Sequence, residues 1–290
     1  MHDGEVAVDE HLVAALLAEQ FPAWGGLPLA RVTSTGTDYA VFRLGADLSV
    51  RLPRIGWAVD QVHRDAEWLP RVDGLLPVAV PEPVAVGEPG CGYPWSWALH
   101  RWVPGSNPVP GAVAEPERLA DDLAGLVTAF HRIDLPGGRA ARRGLPLATQ
   151  DEAARRAVAA LGEQVDAAAV LDAWDGALAA PPWSGPPTWF HGDLSPGNLL
   201  CVDHHLHAVI DFGSLGVGDP AVDLIVAWNL LPAAVRPAFR AGVGVDDATW
   251  ARGRGWALSI ALIQLPYYEH TNPDLAVVAR RTVAEVLADR

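Results

Sequence analysis

The stretch Trp189-Phe190-His191-Gly192-Asp193-Leu194-Ser195-Pro196-Gly197-Asn198-Leu199-Leu200-Cys201-Val202, followed by Leu206-His207-Ala208-Val209-Ile210-Asp211-Phe212-Gly213, is the densest set of polar side chains in apolar surroundings. Leu199 to Val202 and Leu206 to Ile210 read as two short strands joined by Asp203-His204-His205, a hairpin. Asn198 stands just before the first strand and Asp211 just after the second. Their side chains therefore emerge at the same open end. Asp193 lies in a loop that Pro196 and Gly197 bend back on itself. Two carboxylates and an amide form a hard-oxygen set suited to Mg²⁺ with phosphate.

Before this segment the chain changes texture once. Asp9 to Phe21 carries Leu12, Leu16 and Leu17 at helical spacing behind a capping Asp9. Arg31 to Ser34, Tyr39 to Leu44 and Leu48 to Leu52 read as strands, Gly56 to Val72 as a helix, and Val84 to Val86 and Trp95 to Leu99 as two more strands. Arg101 to Gly111 is rich in proline and glycine and continues neither element. Beyond it the pattern is mainly helical. Leu119, Leu123, Leu126, Val127 and Phe130 line one face, Thr149 and Glu152 read as a capping box, and Asp219-Pro220 and Asn272-Pro273 read as helix starts. The expected organisation is α+β and bilobal: a small β-rich lobe over residues 1–100, a hinge at 101–105 and a larger helical lobe over 106–290.

Composition narrows the chemistry. All 21 basic residues are arginine, against 35 acidic residues and a net charge of −14. The absence of lysine excludes a Schiff-base lysine and a P-loop. The acidic balance argues against nucleic acid as partner, and no apolar run is long enough to span a bilayer. Cys91 and Cys201 form no C-x-x-C pair, and the N-terminus has no signal-peptide pattern, so a cytoplasmic protein with no evident obligate protein partner is expected.

His191-Gly-Asp193-x-x-x-x-Asn198 with Ile210-Asp211-Phe-Gly213 resembles the catalytic loop and metal-binding D-F-G of the aminoglycoside phosphotransferases, which share the protein-kinase-like fold. The spacing of 13 from Asn198 to Asp211 (211 − 198) fits the kinase hairpin. Gly218-Asp219-Pro220-x-x-Asp223-Leu224 also resembles the family's continuation. The resemblance implies an O-phosphotransferase using ATP or GTP with Mg²⁺ on a small-molecule hydroxyl, most directly that of an aminoglycoside. Asp193 would orient and deprotonate that hydroxyl, while Asn198 and Asp211 would hold the metal. In the first lobe it implies a phosphate-covering loop at Ser34, Thr35, Gly36 and Thr37, a β3 cation at Arg51 with Glu67 as its ion-pair partner, and a purine-pairing hinge at Arg101, Trp102 and Val103. Ser195 stands where many antibiotic kinases carry histidine, and protein kinases a lysine.

Other readings use the same residues. A macrolide, an amino alcohol or a sugar could be the acceptor, or the chain could be a non-catalytic nucleotide-binding regulator on the same scaffold. His204, His205 and His207 with His191, Asp193 and Asp211 could be drawn as the metal site of a hydrolase. His204 and His205 fall at the hairpin tip, however, away from Asn198 and Asp211.

Overall fold

Asp9 starts the first helix: its carboxylate accepts from the Leu12 N–H at 2.8 Å, and α1 runs Glu10–Gln20. The computed structural model describes residues 4–33 and 36–289. Within them the chain divides into two compact units, the first reaching Gly74 and including Ala79–Pro104, the second comprising Leu75–Val78 and the chain from Gly105 onward.

The first unit holds a five-stranded antiparallel sheet of order β1-β2-β3-β5-β4, with β1 Leu29–Arg31, β2 Tyr39–Leu44, β3 Leu48–Pro53, β4 Pro83–Gly87 and β5 Trp97–Arg101. Alternation sorts its side chains between two faces. Phe42, Leu44, Leu48, Val50, Leu52, Trp97 and Leu99 are buried with Val13, Leu16 and Leu17 of α1. Tyr39, Ser49, Arg51, Ala98 and His100 take the opposite face, in a register that sets Arg51 across from Ala98 and Ser49 across from His100. After a 3-10 turn at Gly56–Ala58, α2 spans Val59–Val72 and packs against β4 and β5.

The second unit is mainly helical. α3 (Pro116–His131) buries Leu119, Leu123, Leu126, Val127 and Phe130, the face that the spacing predicts. It is followed by α4 (Asp151–Leu161), α5 (Ala167–Leu178), α6 (Val226–Asn229), α7 (Arg236–Val243), α8 (Asp247–Tyr268) and α9 (Pro273–Ala288). α8 is the central member and packs on α4, α5, α9 and a 3-10 turn at Pro220–Ile225. Two small antiparallel pairs lie among the helices: β6 (Thr188–Phe190) with β9 (Gly216–Gly218), and the hairpin of β7 (Leu199–Val202) with β8 (His205–Val209).

Several local expectations shift. The first strand is Leu29–Arg31, ending where the pattern has it begin. The last strand of the first unit begins at Trp97, two residues late, because Gly90 and Tyr93 close a turn on each other and β3 pairs only with residues 98–101. Thr149 is no capping box: its hydroxyl donates to the Pro146 carbonyl at 2.8 Å, and α4 begins after Gln150 without a side-chain cap. β9 carries too few side chains to announce itself, two of its three residues being glycine. Asp219 and Asn272 do cap the elements that follow them. No helix among the described residues is long and apolar enough to cross a membrane.

Close packing of α8 gives a directional test. An added Cβ on Gly253 would lie 2.7 Å from Leu224 Cβ and 2.9 Å from the Ala221 carbonyl oxygen, whereas one on Gly125 of α3 would meet nothing within 4 Å. Alanine gains up to about 1 kcal/mol over glycine in a helix, and overpacking costs about 1–3 kcal/mol. Urea unfolding should therefore show Gly253→Ala less stable than the parent and Gly125→Ala more stable.

Candidate active site

β6 delivers the chain into the 191–198 loop, and a single buried carboxylate receives it. Asp223, on the Pro220–Ile225 turn, accepts the His191 N–H at 2.9 Å and the Gly192 N–H at 2.7 Å. Burial pushes its carboxyl up to about 7, against the pull of those two hydrogen bonds. Gly192 has φ 83°, and a Cβ there would approach the Ser214 carbonyl to 2.8 Å, so only glycine makes this bend comfortably. His191 is enclosed, its ring edge-on to Phe130 and Phe212. Its Nδ1 accepts the Asp193 N–H at 3.2 Å, which leaves the proton on Nε2 for the Ile210 carbonyl at 3.2 Å. Burial holds this ring down to about 4, so it is neutral.

The loop then closes on itself. The Ser195 N–H donates to the Asp193 carbonyl at 2.8 Å, and the 3-10 turn Pro196–Asn198 brings the Asn198 amide back to Asp193, 2.9 Å from its carbonyl and 3.2 Å from Oδ2. Asn107 braces the turn from outside, donating to the carbonyls of Gly197 and Leu199. Leu199 pairs with Val209, and the Ile210 N–H reaches the Asn198 carbonyl at 2.9 Å. Asn198 and Asp211 thus stand at one end of the hairpin, as the pattern predicts. Asp211 is left-handed (φ 63°, ψ 75°), a conformation that aspartate tolerates better than most residues, and its Oδ1 accepts from the Gly213 N–H.

The histidines stand elsewhere. Asp203 and His204 form the left-handed turn at the far tip of the hairpin, where His205 meets Asp122 and Arg118. Among the described residues no group of three or more His, Cys, Asp and Glu side chains is placed to hold a metal. The hydrolase reading has no site there.

In the first unit Arg51 lies on the sheet face opposite α1, with its guanidinium 4.5 Å from the Tyr39 ring centroid. Its partner is not the expected Glu67 but Asp65, 3.5 Å away and 4% exposed. Glu67 is half exposed and pairs with Arg71 along the helix surface. Helical geometry explains the correction: Val62, Asp65, Leu69 and Val72 form the buried stripe of α2, and Glu67 falls off it. Of the phosphate-loop residues, Ser34 and Thr35 lie outside the described residues. Gly36 is described, and Thr37 is buried with its hydroxyl donating to Asp38 at 2.9 Å. Arg101 ends β5 and gives its N–H to the Glu82 carbonyl; Trp102 gives its N–H to the Asp47 carbonyl. Among the described residues no backbone carbonyl takes the Val103 N–H.

Two residues around these groups have a sequence signal but no role assigned from it: Asp65 lies in the buried helical stripe, and Asp223 lies in the 218–224 stretch that resembles the family's continuation. Arg143 carries no local signal. Arg143 sits in a 3-10 turn at Arg142–Gly144 and donates to the Gly192 carbonyl at 2.6 Å and to Asp193 Oδ1.

The model of the phosphotransferase enzyme family matches residues 30–256. The chain belongs to that family. Its fold is similar to that of APH(2")-IIia in its GDP and kanamycin complex, at 18% identity and a TM-score of 0.75, covering 96% of this chain and 99% of that one. It is also similar to the macrolide 2'-phosphotransferase MphH from Brachybacterium faecium, at 23% identity and a TM-score of 0.63, covering 94% and 98%. The streptomycin-ATP-APH(2")-IIa ternary complex aligns at 16% identity and a TM-score of 0.61, covering 98% and 97%. No curated protein matches the sequence.

The two acidic residues of α2 should separate in an unfolding experiment. Asp65→Ala removes the buried carboxylate that faces the Arg51 guanidinium and should cost about 1.5–3 kcal/mol; Glu67→Ala, which breaks an exposed pair, should cost less than about 1 kcal/mol. Urea denaturation of both variants measures the contrast.

His100, on the Arg51 face, supplies a pH test. It is 2% exposed, and neither ring nitrogen has a hydrogen-bond partner among the described residues. Burial first, and then the charge of Arg51, hold it down to about 3 from an ordinary value of 6.5. Stability linked to this ring is present above about pH 6.5 and lost as pH falls toward 3. His100→Leu should therefore be more stable than the parent, with the gap widening by about 2 kcal/mol from about pH 6.5 to about pH 5, at roughly 1.4 kcal/mol per unit. Urea unfolding at those two pH values reads it.

Proposed function

We propose that the protein is a kinase of small-molecule hydroxyls that uses ATP or GTP with Mg²⁺, and that an aminoglycoside is the first acceptor to test. The observation that carries this reading is the hydrogen-bonded pair of Asp193 and Asn198, set at the same hairpin end as Asp211. Solved structures of similar fold bind GDP, ADP or ATP, and several hold an aminoglycoside. These support a nucleotide donor and a polyhydroxylated acceptor here.

Each residue has a role in this reading. Asp193 accepts the hydrogen bond of the acceptor hydroxyl and aligns its oxygen. That oxygen bonds to the γ-phosphorus as the bond from phosphorus to the β–γ bridging oxygen breaks. The nucleoside diphosphate leaves with the electron pair, and the hydroxyl proton passes to Asp193 and then to solvent. Asn198 and Asp211 would hold Mg²⁺. The donor set fits, because magnesium takes one or two protein oxygens together with substrate phosphates, and Asn198 commits its amide nitrogen to Asp193, leaving Oδ1 for a cation. When bound, the metal neutralises phosphate charge. Arg51, steadied by Asp65 and Tyr39, offers a second positive charge to the phosphates, and Val103 an N–H to the purine edge. The first-unit glycine-containing turn at Gly36 and Thr37 would cover the phosphates with its N–H groups.

A coupled nucleotide-consumption assay over kanamycin, macrolides, amino alcohols and sugars identifies the acceptor. Asp193→Ala should lower kcat by about 10²–10⁴-fold while calorimetry shows nucleotide binding nearly unchanged. Arg51→Ala should lose most activity and Arg51→Lys retain some, since lysine keeps the charge without the fork. Nucleotide binding with no transfer to any acceptor would replace the kinase with the regulator reading.

A further inference from the structure

The 191–198 loop that carries Asp193 holds no arginine or lysine of its own. A cation reaches Asp193 from elsewhere. Arg143 precedes Asp193 by 50 residues, and its Nη1 donates both to Asp193 Oδ1 and, at 2.6 Å, to the carbonyl of Gly192. Asn198 binds the other carboxylate oxygen, Oδ2. Each oxygen of Asp193 is thereby held by a different donor, which fixes the plane of the carboxylate and leaves lone pairs for one further hydrogen.

The segment that bears Arg143 is itself fastened down. Ala140 bridges Val217 in parallel, the Val217 N–H donates to the Arg139 carbonyl at 3.0 Å, and the Asp219 N–H donates to the Gly144 carbonyl at 3.0 Å. Gly144 passes so close to the 188–190 strand that an added Cβ would lie 2.5 Å from the Phe190 ring. Residues 139–144 thus lie along β9, and Arg143 is carried to the loop by backbone contacts rather than by a flexible reach. The pair is about a quarter exposed on each side. Such a pair contributes little to stability, about 0–1 kcal/mol, so folding alone does not account for it.

We propose that Arg143 is a positioning residue for phosphoryl transfer: it locks the Asp193 carboxylate in register with Asn198 and supplies a positive charge that the loop itself lacks. The inference rests on the reading of Asp193 as the group that orients the acceptor hydroxyl. During transfer the guanidinium makes and breaks no covalent bond. It offsets the charge of Asp193 as the anionic γ-phosphoryl group approaches, and it limits the carboxylate to one orientation.

The test is steady-state turnover of ATP and GTP by the full chain, with kanamycin as acceptor and with water where kanamycin is refused. Arg143→Ala should lower kcat roughly 10- to 100-fold, the scale of a misplaced reacting group, with the nucleotide KM and the melting temperature close to the parent's. Arg143→Lys should recover part of kcat, and millimolar guanidinium should accelerate Arg143→Ala but not the parent. Parental kcat in Arg143→Ala, alongside an inactive Asp193→Ala, overturns the assignment of Arg143 alone. Equal loss in both Arg143 variants, with a lowered melting temperature and no response to guanidinium, reduces the residue to a structural role and also overturns it. Full turnover by Asp193→Ala removes the underlying reading instead.

Discussion

One carboxylate without access to water organises the second unit. Asp223 takes the backbone N–H groups of His191 and Gly192, the two that precede Asp193, in an interior where an unpaired N–H is costly. The turn that carries Asp223 is anchored in turn by Asp219, which caps Ala221 and forms a buried ion pair with Arg252 of α8 at 2.7 Å. A continuous chain of contacts thus runs from the central helix through Arg252, Asp219 and Asp223 to the loop of Asp193. Removing either member of the Arg252–Asp219 pair would leave a lone charge in the core, which is why such pairs resist piecemeal change. The raised proton affinity of Asp223 records the same tension: burial opposes its charge, and the two N–H groups restore much of it.

Local chemistry was legible in the sequence, and distant chemistry was not. The hairpin could be read because strand alternation and turn residues operate over a few positions, and this alone brought Asn198 and Asp211 to one end. The α1 cap, the α3 face and the starts at Asp219 and Asn272 were readable for the same reason. The partner of Arg51 differs from the expected Glu67 for a reason also present in the sequence: helical periodicity buries Asp65 and leaves Glu67 at the surface. Arg143 has no signal among its neighbours, and Asp223, although it falls in the 218–224 motif, has none for the role it plays. Each acts on the loop from 31 to 50 residues away through tertiary placement.

The two sites of positive charge are built differently. Arg51 is fixed by a carboxylate at 3.5 Å and by an aromatic face, both within the first unit. Arg143 is fixed by the backbone path of its own segment. Both use the guanidinium's several donors: one side chain can hold a carboxylate and still meet a carbonyl or a ring, which a single ammonium does less well.

An arginine on β3 also changes how such an enzyme can be detected. Nucleotide analogues that tag kinases by acylating an amine beside the phosphates need a nucleophilic lysine. A guanidinium, protonated at all working pH values, does not serve as that nucleophile. With arginine as all 21 of the Lys and Arg residues, amine-directed labelling would find no side-chain amine to acylate on β3 or anywhere else in this sequence.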